Sequence, residues 1–389
     1  MQMPPWPLYE PDEIEAAAEV LKSGRVNAWT GDDCSRFEAA FAQRIGVDHA
    51  LSMANGSLAL EAALAGLGIG PGDDVLVTPR SFVASATCAV LRGARPVFAD
   101  IDPDSQNVTA ATLEAARTPA TRAAVVVHLA GWPCDMPAIM TWAREHDIKV
   151  IEDCAQAHGA SIAGHSVGAH GDVAAFSFCQ DKIMSTGGDG GMLVTSDPAL
   201  WRRAWSTREH GKSYDAVKRQ DHPPGFRWFV ESFGSNWRLT GPQAAIGLRQ
   251  LAKLDDWNGK RTRNATILQD RLSAVDGIRC PWPGDDITHA WYRYYCFIEG
   301  DDQARSTRRD RIMQEINAAG WPCQVGGCPE IYLERSFVEA GFTPTAPLPV
   351  ARQLAETSLA FLVHHTIDAD TMNRYADAVA ETISASVTA

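Results

Sequence analysis

The chain has 389 residues, enough for two domains or for one large domain with an appendage. Hydrophobic residues make up 45% and charged residues 21%, the balance of a globular chain that can bury a full core. A formal charge of −13 argues against a general nucleic-acid binder, which needs a basic surface to displace counterions, and no stretch approaches the roughly 18 uninterrupted apolar residues of a membrane span.

The N-terminal stretch MQMPPWPLYEPDEIEAAAEVL has no basic region leading into an apolar run, so no signal peptide is expected. Short, Val-rich, strand-like runs then occur at 74–79, 96–101, 123–129, 149–153, 173–178 and 192–196. Their near-continuous apolar character predicts strands buried on both faces, as in a parallel sheet. Helical patterns at 58–65, 85–91, 111–116 and 136–146 fall between several of them, which predicts an α/β fold with helices on both sheet faces. A long helical region at 242–274 reads as a spine leading to a smaller α+β C-terminal domain. That domain begins near CPWPGDD and ends in a helix over 369–384. The expected division is a large domain at 1–245, with an N-terminal arm, and a connecting helix with the small domain at 246–389.

Nine cysteines, odd in number and scattered, predict reduced thiols and a cytoplasmic setting. Cys323 and Cys328 have no second pair at zinc-ribbon spacing, and no metal site is expected.

In a parallel sheet, ligands bind outside the carboxyl ends of the strands, so the residues that follow each strand carry the chemistry. Asp153 ends the run KVIED. It is either the cap of a following helix or a carboxylate presented to a ligand. Lys182 follows the strand 173–178 and precedes the run GGDGG, whose glycines let backbone pack closely. A desolvated lysine has a lowered pKa and attacks carbonyls. A lysine and an aspartate on neighbouring strand ends suit pyridoxal phosphate, with the amine on its aldehyde and the carboxylate on its pyridine nitrogen. Gly56 and Ser57 precede an apolar helix whose free N–H groups could hold an anion, with Ser177 as a second hydroxyl. Phe82, after the strand 74–79, could stack on a ring. His128 in VVVHLAG reads as a satisfied strand-end histidine. GGDGG lacks GxGxxG spacing and precedes a strand, so it is not a dinucleotide fingerprint; a Walker A loop is absent as well.

Together these segments resemble the DegT/DnrJ/EryC1/StrS family, sugar aminotransferases of fold type I. The resemblance runs from EVLKSGRVNAWTGDDCSRFEAAF through ANGSLALEAALAGLGIGPGDDVLVTPRSF, IEDCAQAHGA, GDVAAFSFCQDKIMSTGGDGGMLVTSD and REHGK to GSNWRLTGPQAAIGLRQL. It implies that Lys182 forms the Schiff base, that Asp153 partners the ring nitrogen and that Gln156 contacts the ring hydroxyl. By the same resemblance Gly56, Ser57 and Ser177 hold the phosphate, Phe82 stacks on the ring, and Asn236 reaches the cofactor of a neighbouring subunit in a homodimer. It further implies L-glutamate as amino donor and a nucleotide-linked keto-hexose as acceptor, with a keto-cyclitol as the alternative and a non-catalytic cofactor-binding regulator as a more distant one. Asn27, Trp29, His210, Lys212 and Gln324 are candidates to border the sugar. The chain departs from the family in carrying Ser57 where Thr is common and Asp189 where Glu is common; neither change removes a required group.

Overall fold

The computed structural model describes residues 3–221, 224–300 and 305–387. The large unit contains α1 (Pro11–Ser23), α2 (Asp33–Ile45), β1 (His49–Met53), α3 (Gly56–Leu67), β2 (Asp74–Val77), α4 (Ala84–Leu91), β3 (Arg95–Phe98) and α5 (Ala110–Ala116). It continues through β4 (Thr121–Val127), α6 (Met136–Glu145), β5 (Lys149–Asp153), β6 (Ser161–Ile162), β7 (His165–Ser166), β8 (Val173–Ser177), β9 (Gly191–Thr195), α7 (Pro198–Arg208) and α8 (Tyr214–Lys218). The long helix α9 (Gly241–Leu272) leads to β10 (Ile278–Arg279), β11 (Ile287–Thr288), β12 (Tyr294–Ile298), α10 (Arg305–Ala318), α11 (Arg335–Glu339), α12 (Pro349–Thr357), β13 (Ser358–Phe361) and α13 (Ala369–Val387).

Seven strands form the central sheet in the order β1-β9-β8-β5-β4-β2-β3. β9 pairs antiparallel with both of its neighbours, and the pairs from β8 to β3 are all parallel. The α/β architecture with a mostly parallel sheet, expected from the sequence, is therefore the one found. Side chains alternate between the two faces. Val75, Val77, Ala123 and Val125 pack with α3 and α4 on one face. Leu76, Ala124, Val126 and Val150 pack with α6 and α12 on the other. Each of these strand residues is fully buried, a gain of about 1.5–3 kcal/mol for a Val or Leu side chain.

The sequence pattern misses β1. Its run HALSM carries no β-branched residue and owes its strand state to pairing with β9. The carboxyl end of β1 nevertheless delivers the α3 turn to the site. A second, antiparallel sheet, β10-β12-β13, packs with α10, α13 and the distal part of α9 around Leu268, Tyr294, Ile312, Phe361 and Tyr375. The expected division at 245/246 falls near the start of α9. A continuous helix, and not a linker, therefore joins the two units.

Candidate active site

The carboxyl ends of the parallel strands open onto a cavity of about 510 Å³, within the roughly 300–1,000 Å³ of small-molecule sites. Lys182, Asp153, Gly56, Ser57, Phe82, Gln156 and Ser177, singled out from the sequence, all line it. Asp153 caps no helix, because the chain after β5 runs into turns. Its Oδ2 accepts from the Ser85 hydroxyl at 2.7 Å and its Oδ1 from the Ala155 N–H at 3.1 Å. Burial dominates its electrostatics and pushes its pKa up, against Ser85, the Ala155 N–H and Lys182, which pull it down.

Lys182 enters the same cavity from the loop after β8. Its carbonyl accepts from Trp6 Nε1 at 2.8 Å, so the N-terminal arm pins the loop. Its side chain is 14% exposed, and Nζ stands 3.6 Å from Asp181 Oδ2. Burial does press the amine toward the lowered pKa expected from the sequence. Tyr292, Asp181, Cys179 and Asp153 act in the other direction and outweigh it, and the amine stands above its ordinary value. Desolvation alone was the wrong guide because the loop brings its own carboxylate.

The start of α3 also lines the cavity. The Asn55 side chain, and not Ser57, caps α3 by accepting from the Leu58 N–H at 2.9 Å. The first-turn N–H groups of Gly56 and Ser57 have no acceptor within the helix, and the helix dipole favours negative charge there. Gly56 is required: a Cβ would lie 2.6 Å from the Ser177 Cβ, so only glycine lets α3 meet the end of β8. The glycine run serves the same junction, since a Cβ on Gly191 would fall 2.3 Å from the Asn55 carbonyl oxygen. Phe82 lines the cavity with 63% of its surface exposed, a free aromatic face at the site. Gln156 Oε1 accepts from the Ala130 N–H at 2.8 Å.

His128 is the satisfied strand-end histidine expected. Its Nδ1 accepts from the Cys134 N–H at 2.9 Å, so Nε2 carries the proton and donates to Glu152 at 3.1 Å. Glu152 also accepts from the N–H groups of Gly168, His170 and Gly171. Glu152, His128 and Cys154 have ligand atoms close together, as do Glu10, Asp12 and Glu13. In the first group Glu152 and His128 partner each other and the backbone donors just described, and the second group encloses the Lys253 ammonium.

The remaining candidates gather elsewhere. Trp29 Nε1 donates to Glu209 at 3.0 Å, and Lys212 Nζ lies 5.0 Å from the centroid of the Trp29 ring. Asn27 Oδ1 accepts from the Trp29 N–H, while Asn27 pairs with Thr240 and Asn236 with Glu209. His210 holds a left-handed φ of 61° and donates its N–H to Ser235. This group, centred on the buried Glu209, does not line the Lys182 cavity, and neither does Gln324, which pairs with Ala360. Sequence reasoning missed Asn55, Ser85, Asp181 and Tyr292. Asn55 was legible as the residue before Gly56 and Asp181 as the residue before Lys182, while Ser85 and Tyr292 reach the site through contacts between distant segments.

Residues 7–380 match the profile of the DegT/DnrJ/EryC1/StrS aminotransferase family. The chain belongs to that family. The solved structure of the aminotransferase from Psychrobacter cryohalolentis is 47% identical to this aminotransferase. The two share a TM-score of 0.96, over 98% of this chain and 99% of the other. The dTDP-3-amino-3,4,6-trideoxy-alpha-D-glucose transaminase of Streptomyces venezuelae is 35% identical over 95% of this chain and 92% of its own length. The L-glutamine:2-deoxy-scyllo-inosose aminotransferase of Streptomyces kanamyceticus is 40% identical over 70% of this chain and 65% of its own. Among the described residues, no helix is long and apolar enough to cross a membrane.

Proposed function

We propose that this aminotransferase binds pyridoxal 5'-phosphate in the Lys182 cavity and moves an amino group from an amino acid, L-glutamate, to a keto sugar carried on a nucleotide. The observation that carries the reading is the single cavity shared by the Lys182 amine, the buried Asp153 carboxylate, the free N-terminus of α3 and the exposed Phe82 ring. These residues fit that cofactor. Gly56, Ser57 and Ser177 would hold its phosphate, Phe82 would cover its ring, Asp153 would pair with the ring nitrogen, and Lys182 would carry it covalently. When bound, the cofactor supplies an electron sink for the bonds at the amino-bearing carbon.

The chain's own residues supply the rest. Asp153 is destabilised as an anion by burial, so a cationic ring nitrogen offers it the charge partner it lacks. Once freed, Lys182 moves a proton to and from the substrate's α-carbon as general base and acid. The walls of Val127, Ala155, Ala175 and Phe176 limit water around the amine.

The protomer is proposed to work as a homodimer. Phe226 and Trp228 pack edge to face and are 80% and 86% exposed, an apolar surface that a second copy would cover. All nine cysteines are free, which supports a cytoplasmic setting. A keto-cyclitol acceptor is the second reading, favoured by the 40% identity to the Streptomyces kanamyceticus relative.

Lys182→Ala tests the proposal. It is expected to remove the visible absorbance of the covalently held cofactor and to lower turnover by about 10³-fold or more. Normal turnover in that variant would end the reading. A panel of nucleotide-linked keto-hexoses and keto-cyclitols separates the two acceptor classes.

A further inference from the structure

Lys182 does not stand in the cavity alone. The Tyr292 hydroxyl donates to Asp181 Oδ2, the same oxygen that lies 3.6 Å from Lys182 Nζ. The amine also sits 5.1 Å from the centroid of the Tyr292 ring, and the Arg293 guanidinium 4.3 Å from it. Tyr292 comes from the segment that enters β12, far along the chain from Asp181. It is buried in the core cluster that includes Phe176, Phe178 and Leu254, and its N–H donates to the Ala130 carbonyl at 2.8 Å. Ala130 is in turn the residue whose N–H is taken by Gln156. A cavity residue, a tight turn and the entry to the small sheet thus fix the Tyr292 hydroxyl, and through it one oxygen of an otherwise half-exposed carboxylate.

We propose that Asp181 and Tyr292 form a positioning pair for Lys182: Tyr292 fixes the Asp181 carboxylate, and that carboxylate holds a proton on the Lys182 nitrogen. This rests on the cofactor reading above and adds to it a device for setting when the amine acts as acid and when as base. A carboxylate at this distance stabilises a cationic nitrogen. The Asp181 side chain is 48% exposed, so solvent screening keeps the effect at the lower end of its range. The other groups around the amine are Asp153 at the end of β5, Cys179 in the same loop, His158 after β5, and Tyr292 with Arg293. Burial holds His158 at about 3, so it is neutral, and Asp153 and Asp181 are the two anions that bear on Lys182.

The test is a pH titration of the absorbance of the holoenzyme, whose Lys182-bound cofactor changes colour when the linking nitrogen loses its proton. Asp181→Asn is expected to lower the midpoint by about one pH unit, a roughly tenfold change in the protonated fraction ratio at fixed pH. Tyr292→Phe, which keeps the ring, is expected to lower it by less, because the freed carboxylate can turn to solvent. A role confined to folding would move neither midpoint. A wild-type band with an unmoved midpoint in Asp181→Asn overturns this inference alone. A wild-type protein with no such band at any pH overturns the cofactor reading and this inference with it. Should Asp181→Asn fail to fold, Tyr292→Phe reads the same quantity, and an unmoved midpoint there overturns the pair.

Discussion

Strand β5 ends in two carboxylates, Glu152 and Asp153, that face opposite sides of the sheet and live in opposite electrostatic worlds. On one side Glu152 is fully buried and accepts from His128 and from three backbone N–H groups. Burial would push its pKa up, but the His128 bond and the Gly171 and Gly168 N–H groups outweigh burial and hold it below the usual carboxylate range. On the other side Asp153 has one hydroxyl and one N–H, and burial wins. Two adjacent acids on one strand thus separate into a paired anion that holds loop 168–171 to the sheet and an under-paired anion left facing a cavity. Donor count, and not burial, tells the structural acid from the functional one.

The comparison can be broken by exchanging charge for amide on each side. Asp153→Asn is expected to lower turnover by about 10²–10³-fold, the scale of removing one preorganised electrostatic partner. Its melting temperature should hold, because the amide oxygen can still accept from Ser85. Steady-state kinetics beside thermal melts read both; unchanged kinetics would mean the strand-end assignment is wrong.

Glu152→Gln is expected to do the reverse. It leaves buried N–H donors facing an amide and should cost about 3 kcal/mol of stability, read by urea unfolding, while protein that remains folded keeps its cofactor absorbance.

The two sites also carry opposite signs with pH. The Glu152 pKa is depressed on folding, so its contribution is complete above its ordinary value of 4.5 and is lost as pH falls through the folded value. The Asp153 pKa is raised, so its contribution is complete below 3.8 and lost as pH rises through the folded value. In cofactor-free protein, the stability deficit of Glu152→Gln should therefore narrow on acidification. Asp153→Asn should gain on wild type as pH rises. Melting curves taken across the acid range check both slopes, and parallel curves would erase the distinction.

Ser85→Ala is the smallest change. Removing one of the two donors to Asp153 should cost about 1 kcal/mol and lower turnover a few-fold, read by the same kinetics and melts. An effect as large as that of Asp153→Asn would make Ser85 more than a donor to the carboxylate.

The sequence alone determined what depends on short-range pattern. Val-rich runs specify buried parallel strands, and a strand's carboxyl end faces the ligand side, so pattern alone puts Asp153 and Lys182 at one crevice. The α3 turn was legible for the same reason, since a glycine before an apolar helix exposes N–H groups wherever it occurs. Tertiary structure decided everything that needs two distant segments to meet. Tyr292 finds Asp181 across more than a hundred residues, the cluster around Glu209 draws Trp29 to Lys212, and β1, with no β-branched residue, becomes a strand only against β9. It also divided the labour of Glu152 and Asp153, because a strand's alternation sets which face each acid takes, but only the folded chain sets how many donors wait there.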